Sequence, residues 1–277
     1  MKDVENQPQR KIFIEGHGLA GSSEILHKAV EKAVWLRTND EPAYIEAADG
    51  TEVYEIEKLI RGDRVGLHVE FDCRVFSADR LKNELLVNYN CTRKPLIEHE
   101  VGGTIFLSHI EGLDGKGQSF LAAFFDMVKR DKIDIKLIFS AHCDLKARTK
   151  TGDFSESLFQ KICMQKISIP ALSERPEDIE PFIEKIRTQE NWRDRKIPRF
   201  HPDTVALIKK GLWDFNHVEL EGAVVKLVLD NSGIEKILPD HIFSNRGFDK
   251  NFPTFKRSRA KYRSRGSSHP MLYLLSR

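Results

Sequence analysis

An α/β fold, a parallel sheet lying between helices and followed by a small helical domain, is predicted by three features of this 277-residue sequence. Residues 11–15 (KIFIE) run through a glycine-rich turn, Gly16-His17-Gly18-Leu19-Ala20-Gly21, into an amphipathic segment, which is the strand–turn–helix opening of an α/β unit. Residues 103–109 (GTIFLSH) and 133–140 (IDIKLIFS) are almost continuously apolar and alternate with helical segments, as expected of strands covered on both faces. After about residue 175 the apolar spacing becomes purely helical.

Taken in order, Ser22 and Ser23 cap a helix running to about Leu36, with Ile25, Leu26, Ala29, Val30 and Ala33 on one face. Residues 43–56 (AYIEAADGTEVYEI) read as a β-hairpin turning at Asp49-Gly50, inserted into the core. A strand is expected over 65–71, a helix over 78–87 and a buried helix over 119–128. Helices at 176–187, 201–210 and 217–229 form the small domain. The resulting division is a core over 1–172, a helical lid over 173–235 and a basic tail over 236–277.

Composition sets the class more than the function. The chain is 40% hydrophobic and 31% charged, ordinary for a globular protein, and its net charge of +2 implies no partner by itself. Cys73, Cys91, Cys143 and Cys163 form no C-x-x-C pair, which argues against a zinc ribbon and fits a reducing cytoplasm. The polar N-terminus is unlike a signal peptide, and no apolar run approaches the ~20 residues of a membrane helix.

Several segments carry a resemblance. ALSERPEDI from Ala171 to Ile179 is similar to the LPPLRERxEDI junction of the sigma-54 transcription activators, and VGGTIFL to their GGTLFL strand. Gly152-Asp153-Phe154 with Leu158-Phe159 resembles GxFRxDLYYRL, and Trp213, Asn216, Glu219, Leu220 and Glu221 resemble WPGNVRELEN. Asp72-Cys73 and Glu84-Leu85 occupy the Asn-Cys and Glu-Leu-Phe positions. The resemblance extends in the same order over about residues 11–230, and it implies a P-loop AAA+ core followed by a helical lid.

In the positions where the resemblance implies ATP chemistry, the residues differ. A phosphate loop needs G-x4-G-K-[ST]. Gly16, Gly21 and Ser23 keep that spacing, but Ser22 replaces the lysine that neutralises phosphate charge. Ser108 and His109 stand where a carboxylate pair would serve magnesium and the attacking water, with Glu111 as a stand-in that would have to reach back past a turn. His142 takes the place of a polar Asn sensor. Ser155 and Lys161 stand for the arginines offered to a neighbouring subunit, and Val218 for the lid arginine. The activators' GAFTGA loop is missing from residues 87–101, and neither a receiver domain nor a helix-turn-helix is visible. The resemblance with these departures implies a pseudo-ATPase with no cofactor and no catalytic residue, regulating through protein contacts with itself or an active AAA+ relative. The rival expectation is a nucleotide-binding, non-hydrolysing regulator. His17, His109, His142 and Cys143 would converge near the site, yet they lack a local metal motif, and no metal is expected.

The tail carries Lys250, Lys256, Arg257, Arg259, Lys261, Arg263 and Arg265 with no acidic residue over 250–265, interleaved with Phe252, Phe255 and Tyr262. Such a segment is compatible with phosphate-backbone binding, with docking on an acidic protein face, or with a solvated tail.

Overall fold

A computed structural model describes residues 12–14, 18–86, 102–188, 192, 197–244 and 251. They divide into two compact units meeting in sequence at Arg175 and Pro176.

The first unit opens with a short antiparallel pair, β1 (Ile12–Ile14) and β2 (Leu19–Gly21), then helix α1 (Glu24–Arg37). Ser23 caps α1, its hydroxyl accepting from the Leu26 amide at 3.1 Å. Next come β3 (Ala43–Ala47), α2 (Val53–Arg61), β4 (His68–Asp72), α3 (Ala78–Leu86) and β5 (Gly103–Ser108). Helix α4 (Gly115–Arg130), β6 (Ile135–Ala141), α5 (Leu145–Thr151), α6 (Glu156–Ile162) and β7 (Lys166–Ile169) complete it.

Strands β3 to β7 form one parallel sheet in the order β4-β5-β6-β3-β7. Alternate residues feed two cores. Ile105, Leu107, Leu137, Phe139 and Tyr44 face α3, α4, α5 and α6, whereas Phe106, Ile138, Ala43 and Ile45 pack with α1 and α2. Cover on both faces is why β5 and the middle of β6 run apolar, whereas β4 (HVEFD) and β7 (KISI) alternate.

Two expectations need correction. The segment 43–56 is not a hairpin: β3 is an interior strand of the sheet, and after Asp49-Gly50 the chain enters α2. Val53, Ile56, Leu59 and Ile60 are buried at helical spacing, so 3.6-residue periodicity outweighs the Asp-Gly turn signal. Gly50, at φ 73°, serves the strand-to-helix turn instead. The second correction concerns the segment 236–244, assigned to the tail. It carries β9 (Lys236–Ile237) and α10 (Pro239–Ser244), because Ile237 and Ile242 are fully buried.

The rest of the second unit is α7 (Ile179–Thr188), β8 (Arg199–Phe200), α8 (Pro202–Ile208) and α9 (Asn216–Asp230), with β8 parallel to β9. Its core is Phe182, Ile183, Ile186, Leu207, Ile208, Leu220, Val224 and Leu227. The Trp213 indole N–H donates to the Ile208 carbonyl at 3.0 Å, and His217 meets Phe182 edge to face at 4.5 Å. Among the described residues no helix is long and apolar enough to cross a membrane.

Candidate functional site at the carboxyl ends of the sheet

Open parallel sheets bind ligands at the carboxyl ends of their strands, where the strand order reverses. Here the chain leaves β3 toward β4 on one side, and leaves β6 toward β7 on the other. The switch point therefore lies between the β3–α2 connection, residues 48–52, and the residues after β6, His142 to Asp144. The Gly16–Ser23 spacing does not build this site. Gly16 and His17 lie outside the described residues, Gly21 ends β2 in the separate two-stranded sheet, Ser22 comes directly after it, and Ser23 is the α1 cap. The strand–loop–helix at the phosphate-loop position of the sheet is Ala43–Ala47, residues 48–52, and Val53–Arg61.

That connection is Ala48-Asp49-Gly50-Thr51-Glu52, with no lysine. Its amides are partly committed: Ala48 N–H donates to Ile169 O at 3.0 Å, Thr51 N–H to Ala48 O at 3.3 Å and Val53 N–H to Thr51 O at 2.9 Å. The Thr51 hydroxyl also donates to Ala48 O at 2.7 Å, which closes the turn. Glu52 is buried and receives Arg175 through both oxygens, from Nη1 at 3.3 Å and Nη2 at 2.6 Å.

The predicted replacements at the strand ends do come together. His142 places Nδ1 3.2 Å from Asp49 Oδ1 and stacks on His109, with ring centroids 4.3 Å apart at 21°. His109 sits at φ 54° after β5, a left-handed conformation that turns its ring across the sheet end. Glu111 does reach back past the turn: its Oε1 accepts the His142 amide at 3.1 Å and lies 3.5 Å from His109 Nδ1. Glu111 Oε2 is buried without a hydrogen-bond partner among the described residues. Ser108 donates to Glu70 Oε1 at 3.0 Å, which also accepts the Tyr54 hydroxyl at 3.0 Å. Burial and that bond push the Tyr54 phenol up to about 12. Asp72 holds Arg74, which keeps its carboxyl below the usual range. Beside the loop lies a cavity of about 260 Å³ whose lining includes Glu46, Asp144 and Glu174 and no lysine or arginine.

Other predicted residues stand apart. Ser155 caps α6, accepting from Leu158 N–H at 3.3 Å, while its own amide donates to Gln118 Oε1 at 2.7 Å. Lys161 pairs with Asp126 at 2.5 Å. Val218 is exposed on α9 of the second unit, and Lys250, Lys256, Arg257, Arg259, Lys261, Arg263 and Arg265 lie outside the described residues. Among the described residues no three His, Cys, Asp or Glu side chains are placed to hold a metal ion. Asp49, Glu52, Tyr54, Glu70 and Arg175 are the site residues that sequence reasoning overlooked. The signal that could have found them was an apolar strand at 43–47 leading into helical spacing from Val53.

Burial, and next the neighbouring His109, lower the His142 pKa, against the opposing carboxylates Glu111 and Asp49. A histidine depressed on folding favours the folded state when neutral. Its contribution is therefore full above its unfolded pKa near 6.5 and is lost as pH falls below that value toward the folded pKa. His142→Asn is expected to flatten the fall in stability between pH 7.5 and 5.5, read as urea midpoints. Parallel pH profiles for variant and parent would exclude His142 as the source.

Comparison with known proteins bears on the fold that carries these residues. Residues 64–172 match the sigma-54 interaction domain family. The DNA-binding transcriptional regulator NtrC of Escherichia coli K12 is 27% identical over 165 residues, covering 54% of this chain and 34% of that protein. The Nif-specific regulatory protein of Rhizobium meliloti is 26% identical over 246 residues, covering 80% of this chain and 45% of that protein. The chain thus spans about a third to a half of the length of these relatives. Among solved structures, NtrX from Brucella abortus in complex with ADP superposes with a TM-score of 0.67 at 20% identity, covering 80% of this chain and 54% of that one. The RuvB Holliday junction branch migration motor of Thermotoga maritima gives a TM-score of 0.56 at 11% identity, over 81% of this chain and 68% of that one. Residues 64–172 are thus similar to a sigma-54 interaction domain, and the parallel five-stranded sheet shares the fold of these P-loop AAA+ neighbours.

Proposed function

We propose that this chain is a regulatory AAA+ protein of bacterial transcription control that acts through protein contacts and does not hydrolyse ATP. The observation that supports this reading most is the β3–α2 connection. It carries no lysine, and the amides of Ala48, Thr51 and Val53 are spent on backbone carbonyls. A triphosphate there would meet the carboxylates of Asp49, Glu46, Asp144 and Glu174. Ser108 and His109 supply neither the magnesium carboxylate nor the base of phosphoryl transfer, and Ser155, Lys161 and Val218 supply no arginine. Each such group matters by orders of magnitude in rate, so their joint replacement removes turnover. The reading extends to partners and place: a second copy or an active AAA+ relative, met in the cytoplasm, with no cofactor.

Phosphate release from magnesium ATP, measured over a wide protein concentration range, is expected to stay at background. Turnover of about 1 per second, the low end of the ordinary kinase range, would overturn the proposal. A titration with ATP and ADP tests the rival: saturable binding without release would favour a nucleotide-liganded regulator.

A further inference from the structure

The second unit presents three large apolar side chains to solvent at the start of α9. Leu212, Phe215 and Val218 are 56%, 59% and 67% exposed. Phe215 is the residue before the helix and Val218 lies three positions on, so the two share one face. Buried Asn251 is bound beside them. Its carbonyl accepts the Leu212 amide at 2.9 Å, and its side-chain amide donates to Leu212 O at 2.6 Å and to Glu219 Oε1 at 2.9 Å. Glu219 Oε2 in turn accepts the Phe215 amide at 3.1 Å. The chain therefore continues from a point fixed within the patch itself.

The residues after Asn251 match the patch in apolar character and in charge. Phe252-Pro253-Thr254-Phe255 places two aromatic side chains within four residues, a stretch of roughly 13 Å when extended. Lys256, Arg257 and Arg259 come next. Exposed Asp214 and Glu221 flank Phe215 and Val218 in sequence, with Glu221 one helical turn beyond Val218. A tether this short gives an effective concentration on the order of millimolar, so even a weak contact is populated.

We infer that the segment 252–259 docks in cis on this patch. Phe252 and Phe255 cover Leu212, Phe215 and Val218, and the cations after them lie against Asp214 and Glu221. The segment then competes with any protein that uses the start of α9 as its contact surface. A photoreactive benzophenone amino acid introduced at position 215 of the full chain, and separately at 218, tests this. Equal amounts of nitrogen-15 and unlabelled chains are mixed before irradiation. The expected products join position 215 or 218 to the peptide containing Phe252 and Phe255, within chains of one isotope only. Serine at both 252 and 255 should abolish them while far-UV circular dichroism is unchanged. Mixed-isotope products would show a second copy on the patch, products with residues 18–175 would show the first unit there, and an absence of products from both positions would leave the patch uncovered. Each of these three results overturns the inference.

Discussion

Replacing Lys136 with methionine is expected to lower the melting temperature by about 10 °C. Lys136 lies on β6, on the face toward α1, and is buried to 1% exposure. Its ammonium donates to Leu36 O at 2.6 Å, Asn39 O at 2.8 Å and Glu41 O at 2.6 Å. Leu36 belongs to the last turn of α1, whose carbonyls have no partner within the helix, and the other two lie in the connection to β3. Three protons meet three acceptors, and the lysine ties the end of α1 to the sheet. Burial pulls its pKa down to about 8, so at pH 7 most molecules still carry all three protons. Methionine matches the stem but leaves the carbonyls without a donor, at roughly 1–3 kcal/mol for each that stays dry. With partial access of water the sum is about 3–5 kcal/mol, and each kcal/mol is worth about 2–4 °C in a domain of this size. Arginine should rescue poorly, because a planar fork cannot converge on three acceptors. A shift under about 3 °C for the methionine variant would show that water replaces the ammonium.

Arg175→Met should be about as damaging, for a different reason. The Arg175–Glu52 pair is 0% and 3% exposed, and Arg175 Nε also donates to Pro170 O at 3.0 Å. Removing one partner strands the other charge in the interior, which typically destabilises by about 3–5 kcal/mol. Replacing both is much milder, because the penalty of burying two charges disappears with their attraction. Glu52→Leu combined with Arg175→Met should thus recover most of the stability that Arg175→Met alone loses, measured as urea midpoints with unchanged slope. A double variant no better than the single would mean that Arg175 acts through Pro170 and packing instead. The pair matters for the site because Glu52 ends the five-residue loop at the switch point. With Glu52 clamped and Thr51 bonded back to Ala48, the loop is closed on itself.

Much of the core was legible in the sequence because it rests on local chemistry. Residues 103–108 and 135–141 are apolar at nearly every position because both faces of the sheet are covered, and α4 and α9 repeat at helical spacing because one side of each is buried. Ser108, His109 and His142 were located differently, by the resemblance of the segments around them to the sigma-54 activators.

The tertiary structure decided which strand–loop–helix occupies the switch point. Gly16, Gly21 and Ser23 have a phosphate-loop spacing, and Asp49-Gly50 has the look of a hairpin turn. Strand order depends on pairings such as Ile45 with Ser140 and Ile167, nearly a hundred residues or more apart, which no local pattern encodes. Only that order brings Asp49 to His142, Glu111 to both histidines and Arg175 to Glu52. Which residues the site holds also depends on the fold, since the strand order puts residues 48–52, and not Gly16–Ser23, at the switch point. Which charges meet across it was settled by the sheet, because electrostatic partners are chosen by distance in space and not by separation along the chain.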